Sequence, residues 1–90
     1  MITPDRWSSF SRREQLLSIA SELERARIWQ EKDKKLFRSA LERTMNLIDL
    51  TLQGKLSVLE LPMFLAFRDE VARFYLGDRA ESIDILYKAL

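Results

Sequence analysis

LPMFLAFRDEVARFYLG, residues 61–77, is the most apolar part of this 90-residue chain, and its reading decides the fold. Pro62 suits a first helical turn, where its missing N–H goes unused, and its ring pushes Leu61 away from helical geometry. Gly77 supplies a left-handed stop. The spacing predicts a helix over 62–76. At about 100° per residue, Ala66, Asp69, Glu70 and Arg73 fall on one narrow polar strip. Met63, Phe64, Leu65, Phe67, Val71, Ala72, Phe74, Tyr75 and Leu76 fill an apolar sector of roughly 220°, about twice that of a one-sided surface helix. Such a helix needs cover from more than one side. Arg68 falls inside the apolar sector, between Phe64, Tyr75 and Ala72, and the architecture gives no reason for it.

The covering elements precede and follow this stretch. Thr3-Pro4-Asp5 is a helix start, with a cap, a proline at the first position and an acid in the first turn. It opens a short N-terminal helical turn, 4–10, that carries Trp7 and Phe10. Ser11 and Glu14 form an S-x-x-E capping box for a helix over 12–30. Its expected apolar face is Leu16, Ile19, Ala20, Leu23 and Ala26, flanked by Leu17 and Ile28. Arg27 projects into the middle of that face, and Glu24 lies at its edge.

Residues 30–35, Gln-Glu-Lys-Asp-Lys-Lys, contain nothing apolar and read as a connection, with Asp33 capping the next helix. An unbroken helix over 12–53 would be about 63 Å long, too long for a small domain to cover, so a hairpin is expected. The second arm of that hairpin runs over 34–53 and stops at Gly54. Leu36, Phe37, Ala40, Leu41, Met45, Leu47, Ile48, Leu50 and Leu52 give it another apolar sector of roughly 220°. Thr44 and Thr51 lie on its centre line, where a hydroxyl can satisfy itself on a preceding carbonyl. Asp49 joins Arg38, Glu42 and Asn46 on the polar strip. Ser57 and Glu60 repeat the S-x-x-E pattern and read as a short turn leading into the central helix. Asp78 and Glu81 predict a cap for a last helix over 79–89, with Ile83, Leu86, Tyr87 and Leu90 as its stripe.

These elements predict an all-α protein, a small antiparallel helical bundle of three to four main helices plus a short N-terminal helical turn, in one domain spanning 1–90. Composition agrees: 47% of residues are hydrophobic, 32% are charged, and there are only two Gly and two Pro. Net charge is +1, so overall charge does not point to nucleic acid or a membrane surface. No segment approaches the roughly 18 uninterrupted apolar residues of a membrane span, and MITPDRW lacks the features of a signal peptide, so a cytoplasmic protein is expected.

The chain has neither histidine nor cysteine. That excludes disulfides, thiolate catalysis, Ser-His-Asp and Cys-His constellations, and Cys- or His-ligated metal. Glu22, Glu24, Glu31, Asp69 and Glu70 lack the Glu-x-x-His partners of a helical metal site. No phosphate loop, dinucleotide fingerprint or nucleophile elbow is present, and no cofactor is implied.

Three groups remain as candidate sites. Arg68, Arg27 and Glu24 would form a buried polar or anion site if the two helix faces met inside the bundle, because a guanidinium fork grips carboxylate or phosphate. The ordinary alternative is an ion pair for Arg68 and a solvated head for Arg27. Phe64, Phe67, Phe74, Tyr75, Leu47, Leu50, Trp29 and Trp7 are candidate interface residues, aromatic anchors being frequent binding hot spots. Lys32, Lys34, Lys35 and Arg38, with Arg12 and Arg13 in addition, form a weak candidate contact for a nucleic-acid backbone. The acids among them suggest a solvated helix end instead.

The two wide sectors exceed what one small core consumes, and a homodimer is expected. The sequence therefore reads as a non-enzymatic helical interaction module. It would self-associate or bind a protein partner through the apolar faces of 34–53 and 62–76. The alternative reading is a regulatory nucleic-acid-associated protein using the basic 32–38 segment.

Overall fold

The structure is a computed structural model that describes residues 2–90. It is all-α, with α1 over Pro4–Ser8, α2 over Arg12–Trp29, α3 over Lys34–Leu52, α4 over Glu60–Leu76 and α5 over Asp84–Ala89. No strand occurs among the described residues.

The starts of the first three helices follow from their caps. The Thr3 hydroxyl accepts from Arg6 N–H. Ser11 and Glu14 make both bonds of the capping box, and Asp33 accepts from Leu36 N–H. The polar segment 30–33 is the hairpin connection, so the continuous 12–53 helix does not form.

Helix α3 is the centre of the bundle. It packs on α2 along one side and on α4 along the other, and α1 covers part of it. Phe37, Ala40, Leu41, Thr44, Ile48 and Thr51 are buried, all within one half of its circumference. The two threonines return their protons to the carbonyls of Ala40 and Leu47. Thr51 Oγ1 also accepts from Trp7 Nε1, 3.0 Å away, which ties α1 to the end of α3. Helix α5 closes the groove between α2 and α4, seating Ile83 and Leu86 against the core.

Three expectations change. Helix α4 begins at Glu60 rather than at 62. Ser57 Oγ accepts from Glu60 N–H, and the Glu60 carboxylate accepts from Ser57 N–H, so this capping box serves α4 itself. Leu61 is helical despite the following proline, and its N–H already bonds Ser57 O.

Helix α5 begins at Asp84 rather than 79, and Asp78 caps nothing. Arg79 is held by Glu70 and Glu81. The Gln30 side chain binds the chain twice, donating to Glu81 O at 2.8 Å and accepting from Ile83 N–H at 2.7 Å. Residues 78–83 are thereby fixed in an irregular path.

The buried face of α2 is also rotated from the expected one, and consists of Gln15, Ile19, Leu23 and Ala26. Gln15 is accommodated because its amide donates to Trp7 O and accepts from Arg12. Arg27 is therefore at the edge of this face, not in its middle.

Gly77 ends α4 in the left-handed region, at φ 83°, as expected. A side chain there would meet no neighbour, so backbone conformation alone favours glycine.

Candidate functional site

The two expected arginines have no partner in common. Arg27 bonds Glu24 one turn back on α2, lies 3.8 Å from Asp84 and stacks over the Tyr87 ring, all on the exposed edge beside α5. Arg68 forms a fork with Asp49 across the α3–α4 seam: Nε donates to Oδ1 at 2.5 Å and Nη2 to Oδ2 at 3.2 Å. This carboxylate raises the affinity of Arg68 for its proton, against a smaller opposing effect of burial. Both side chains of this pair are more than a third exposed. The expected Arg68–Arg27–Glu24 site is replaced by two separate ion pairs. Neither leaves a guanidinium fork open toward the interior.

The Asp49–Arg68 pair has a counterpart. Tyr75 Oη donates to Glu42 at 2.6 Å. From the first pair to the second, the chain moves seven residues back along α3 and seven forward along α4. That is two helical turns on each, the spacing of a regular antiparallel seam. Arg38 stacks over the outer face of Tyr75, with its guanidinium carbon 4.4 Å from the ring centre.

The expected interface residues are largely taken by the chain's own core. Trp7 and Phe74 are buried. Phe64, Phe67, Tyr75, Leu47, Leu50 and Trp29 are partly buried and pack against the core. Within the single chain the aromatic candidates are therefore core residues or lie at the core's margin. The exposed apolar surface lies elsewhere on the same helix. Leu61 is 45% exposed, Leu65 51% and Leu76 69%, and ahead of them Val58 and Leu59 are 89% and 79% exposed. Leu61, Leu65, Ala72 and Leu76 fall within about 60° of one another on α4, forming one stripe along its whole length. The Arg68–Asp49 and Tyr75–Glu42 pairs bound the stripe on the α3 side. On the other side it is bounded by Asp69 and Arg73, an ion pair of 3.1 Å.

Comparison with protein-family models, curated proteins and solved structures finds no match for this chain.

A concavity lies between the first turns of α2 and α4 and the end of α5. It has a volume of about 180 Å3 and an apolar wall that includes Leu16, Met63, Phe64 and Leu90. Arg12 closes its rim. It donates to Glu60, Gln15 and Lys55 O, and its guanidinium stacks over Phe64. These bonds hold the Glu60 carboxyl below its ordinary range, with Arg12 the largest cause and Ser57 the next. Arg12 therefore joins three segments and has no fork left for a ligand.

Arg12 and Arg13 sit at the opposite end of α2 from Lys32, Lys34, Lys35 and Arg38, so they do not extend that basic segment. Those four cations are exposed, and none makes an ion pair among the described residues. The acids considered for metal are each taken by arginine: Glu22 by Arg25 and Arg43, Glu24 by Arg27, Asp69 by Arg73, Glu70 by Arg79. The exception is Glu31, which is exposed. No described helix is long and apolar enough to cross a membrane.

The sequence carried a sign of the α4 stripe. A 220° sector flanked by one α3 neighbour and a short last helix must leave part of itself bare. Which part was not legible, because aromatic residues outrank leucines as expected anchors.

Proposed function

We propose that this chain is a cytoplasmic, non-enzymatic helical interaction module that docks through the exposed stripe of α4 and self-associates as a homodimer. One observation carries the reading: the leucine row Leu61, Leu65 and Leu76, which the described residues of its own chain leave 45%, 51% and 69% exposed. Apolar surface in water costs about 25 cal/mol per Å2, and a contiguous patch of this kind marks an interface. The absence of histidine and cysteine supports the non-enzymatic part of the reading. Sedimentation velocity at micromolar concentration tests it. The expected species has twice the 10.7 kDa chain mass. Leu65→Lys is expected to return it to one chain mass with helical content unchanged. A wild-type protein at one chain mass would overturn the homodimer.

A second reading is favoured by a separate observation, the four cations Lys32, Lys34, Lys35 and Arg38 that lack acidic partners. They support contact with a nucleic-acid backbone at the α2–α3 end of the bundle. The affinity for generic duplex would fall steeply with salt, with a slope of log K against log salt near −0.9 per phosphate neutralised. No binding at low salt removes this reading.

A further inference from the structure

The basic end of the bundle holds one guanidinium that the fold positions without using. We infer that Lys34, Lys35 and Arg38 form a binding site for the dianionic phosphate of a small organic phosphate monoester. The site is separate from the α4 leucine stripe, and no nucleic-acid strand is needed to fill it.

Four arginines lie over aromatic rings: Arg12 over Phe64, Arg27 over Tyr87, Arg79 over Phe74 and Arg38 over Tyr75. The first three spend N–H groups on carboxylates: Arg12 on Glu60, Arg27 on Glu24, Arg79 on Glu70 and Glu81. Arg38 makes no side-chain hydrogen bond and no ion pair among the described residues. Its support is layered. Glu42 accepts from Tyr75 Oη at 2.6 Å, which orients the ring, and the guanidinium carbon of Arg38 lies 4.4 Å from the ring centre. Arg38 is exposed, so its five N–H donors face water in a fixed fork.

Arg38 shares a concavity of about 590 Å3 with Lys34, Lys35, Ser39, Glu42 and Tyr75, between the start of α3 and the end of α4. Three positive charges and one negative line it, a balance of +2. The one acid, Glu42, is the group that holds Tyr75. Glu31, Lys32 and Asp33 precede α3 and do not line the concavity, and Asp33 accepts from Leu36 N–H. A phosphate monoester carries about −1.5 to −2 at pH 7, which matches that balance. A carboxylate or a phosphate diester carries a single charge and matches half of it. The guanidinium fork suits two phosphate oxygens, and each lysine acts as a point charge for the others. The volume falls within the range of small-molecule sites, so an organic group fits beside the phosphate.

Titration with ethyl phosphate, read by NMR at the Arg38 Nε–H and the 34–39 amides, tests the site. The shifts are expected to saturate, with affinity about five-fold above that for diethyl phosphate, the worth of one more unit charge near 4 Å in water. Lowering the pH from about 7.5 to about 5 is expected to remove that advantage, because the monoester gains a proton near pH 6 while lysine and arginine stay charged.

Arg38→Lys keeps the charge and loses the fork. It is expected to weaken ethyl phosphate binding about five- to ten-fold with helicity unchanged. Lys32→Ala, outside the concavity, is expected to change it little. Shifts that never saturate, equal affinity for the diester, or undiminished binding by Arg38→Lys would each overturn the site. Binding of generic duplex without binding of ethyl phosphate also overturns it, and leaves the backbone contact standing alone.

Discussion

Helices α3 and α4 have apolar sectors of the same width in sequence, yet the structure uses them in opposite ways. Six residues of α3 are buried, and only Val71 and Phe74 of α4 are. The difference is the number of neighbours. α3 is enclosed by α2, α4 and α1, whereas α4 has α3 on one side, α5 over part of another, and a leucine stripe that stays roughly half exposed. An apolar sector thus records how much cover a helix requires in all. Its width does not say whether the cover comes from the same chain.

The sharpest way to break this comparison is to truncate one aliphatic residue on each helix. Ile48 is fully buried on α3, and Ile48→Ala is expected to cost about 2–5 kcal/mol in chemical denaturation. Leu65→Ala on α4 is expected to change the stability of the isolated chain by no more than about 0.5 kcal/mol, measured at a concentration too low for association. Equal losses at the two sites would mean that α4 is covered within one chain.

A smaller effect sharpens how α3 is enclosed. Thr44 and Thr51 both bond a carbonyl one turn back, but only Thr51 receives the Trp7 indole N–H. Thr51→Val leaves that buried donor unpaired and is expected to cost roughly 1–3 kcal/mol. Thr44→Val strands nothing and is expected to cost less than about 1 kcal/mol. Thermal denaturation of the two variants side by side would show the difference. No loss at Thr51 would mean that α1 does not contribute to the cover of α3.

The smallest expected effect is a pH dependence at the start of α4. Glu60 has a lowered folded-state pKa, because Arg12 and the Ser57 N–H stabilise its charged form. The unfolded chain therefore binds more protons between the two values. The contribution is present above the ordinary carboxylate pKa of about 4.3 and is lost as pH falls through the folded value. Glu14, lowered by Ser11, and Glu81, lowered by Arg79, act in the same direction. Glu60→Gln is expected to flatten the acid limb of a stability–pH curve below about pH 4.3 and to leave its shape at neutral pH unchanged. An identical acid limb would mean that Arg12 does not tie α4 to α2.

Much of the fold was legible because its signals are local. The caps at Thr3, Ser11 and Asp33, the polar 30–33 connection and the stop at Gly77 all depend on residues within one turn of each other. What was not legible depends on contacts distant in sequence. The start of α5 is delayed by Gln30, more than fifty residues away from the backbone it binds. The rotation of α2 depends on Gln15 finding Trp7 O and Arg12, so a polar residue occupies a core position that the pattern assigns to an aliphatic one. The start of α4 is a local misreading: the steric bias of Pro62 against a helical Leu61 is outweighed by the reciprocal bonds of Ser57 and Glu60. Of the candidate site, the width of the α4 sector and the anomaly of Arg68 were visible in sequence. The bare leucines were not, because exposure depends on which neighbours α4 finds.

The seven-residue step between Asp49–Arg68 and Glu42–Tyr75 limits how α4 can move. If α4 slid along α3 by a single turn, about 5.4 Å, both contacts would be lost together, and neither could reform with a neighbour of like chemistry. The two pairs together hold α4 at its present height along α3. The leucines beside them are therefore held at fixed heights before any encounter, and an incoming surface meets a preorganised row rather than one it must first order. The entropy of arranging that row is spent in folding, so little of it is left to oppose association.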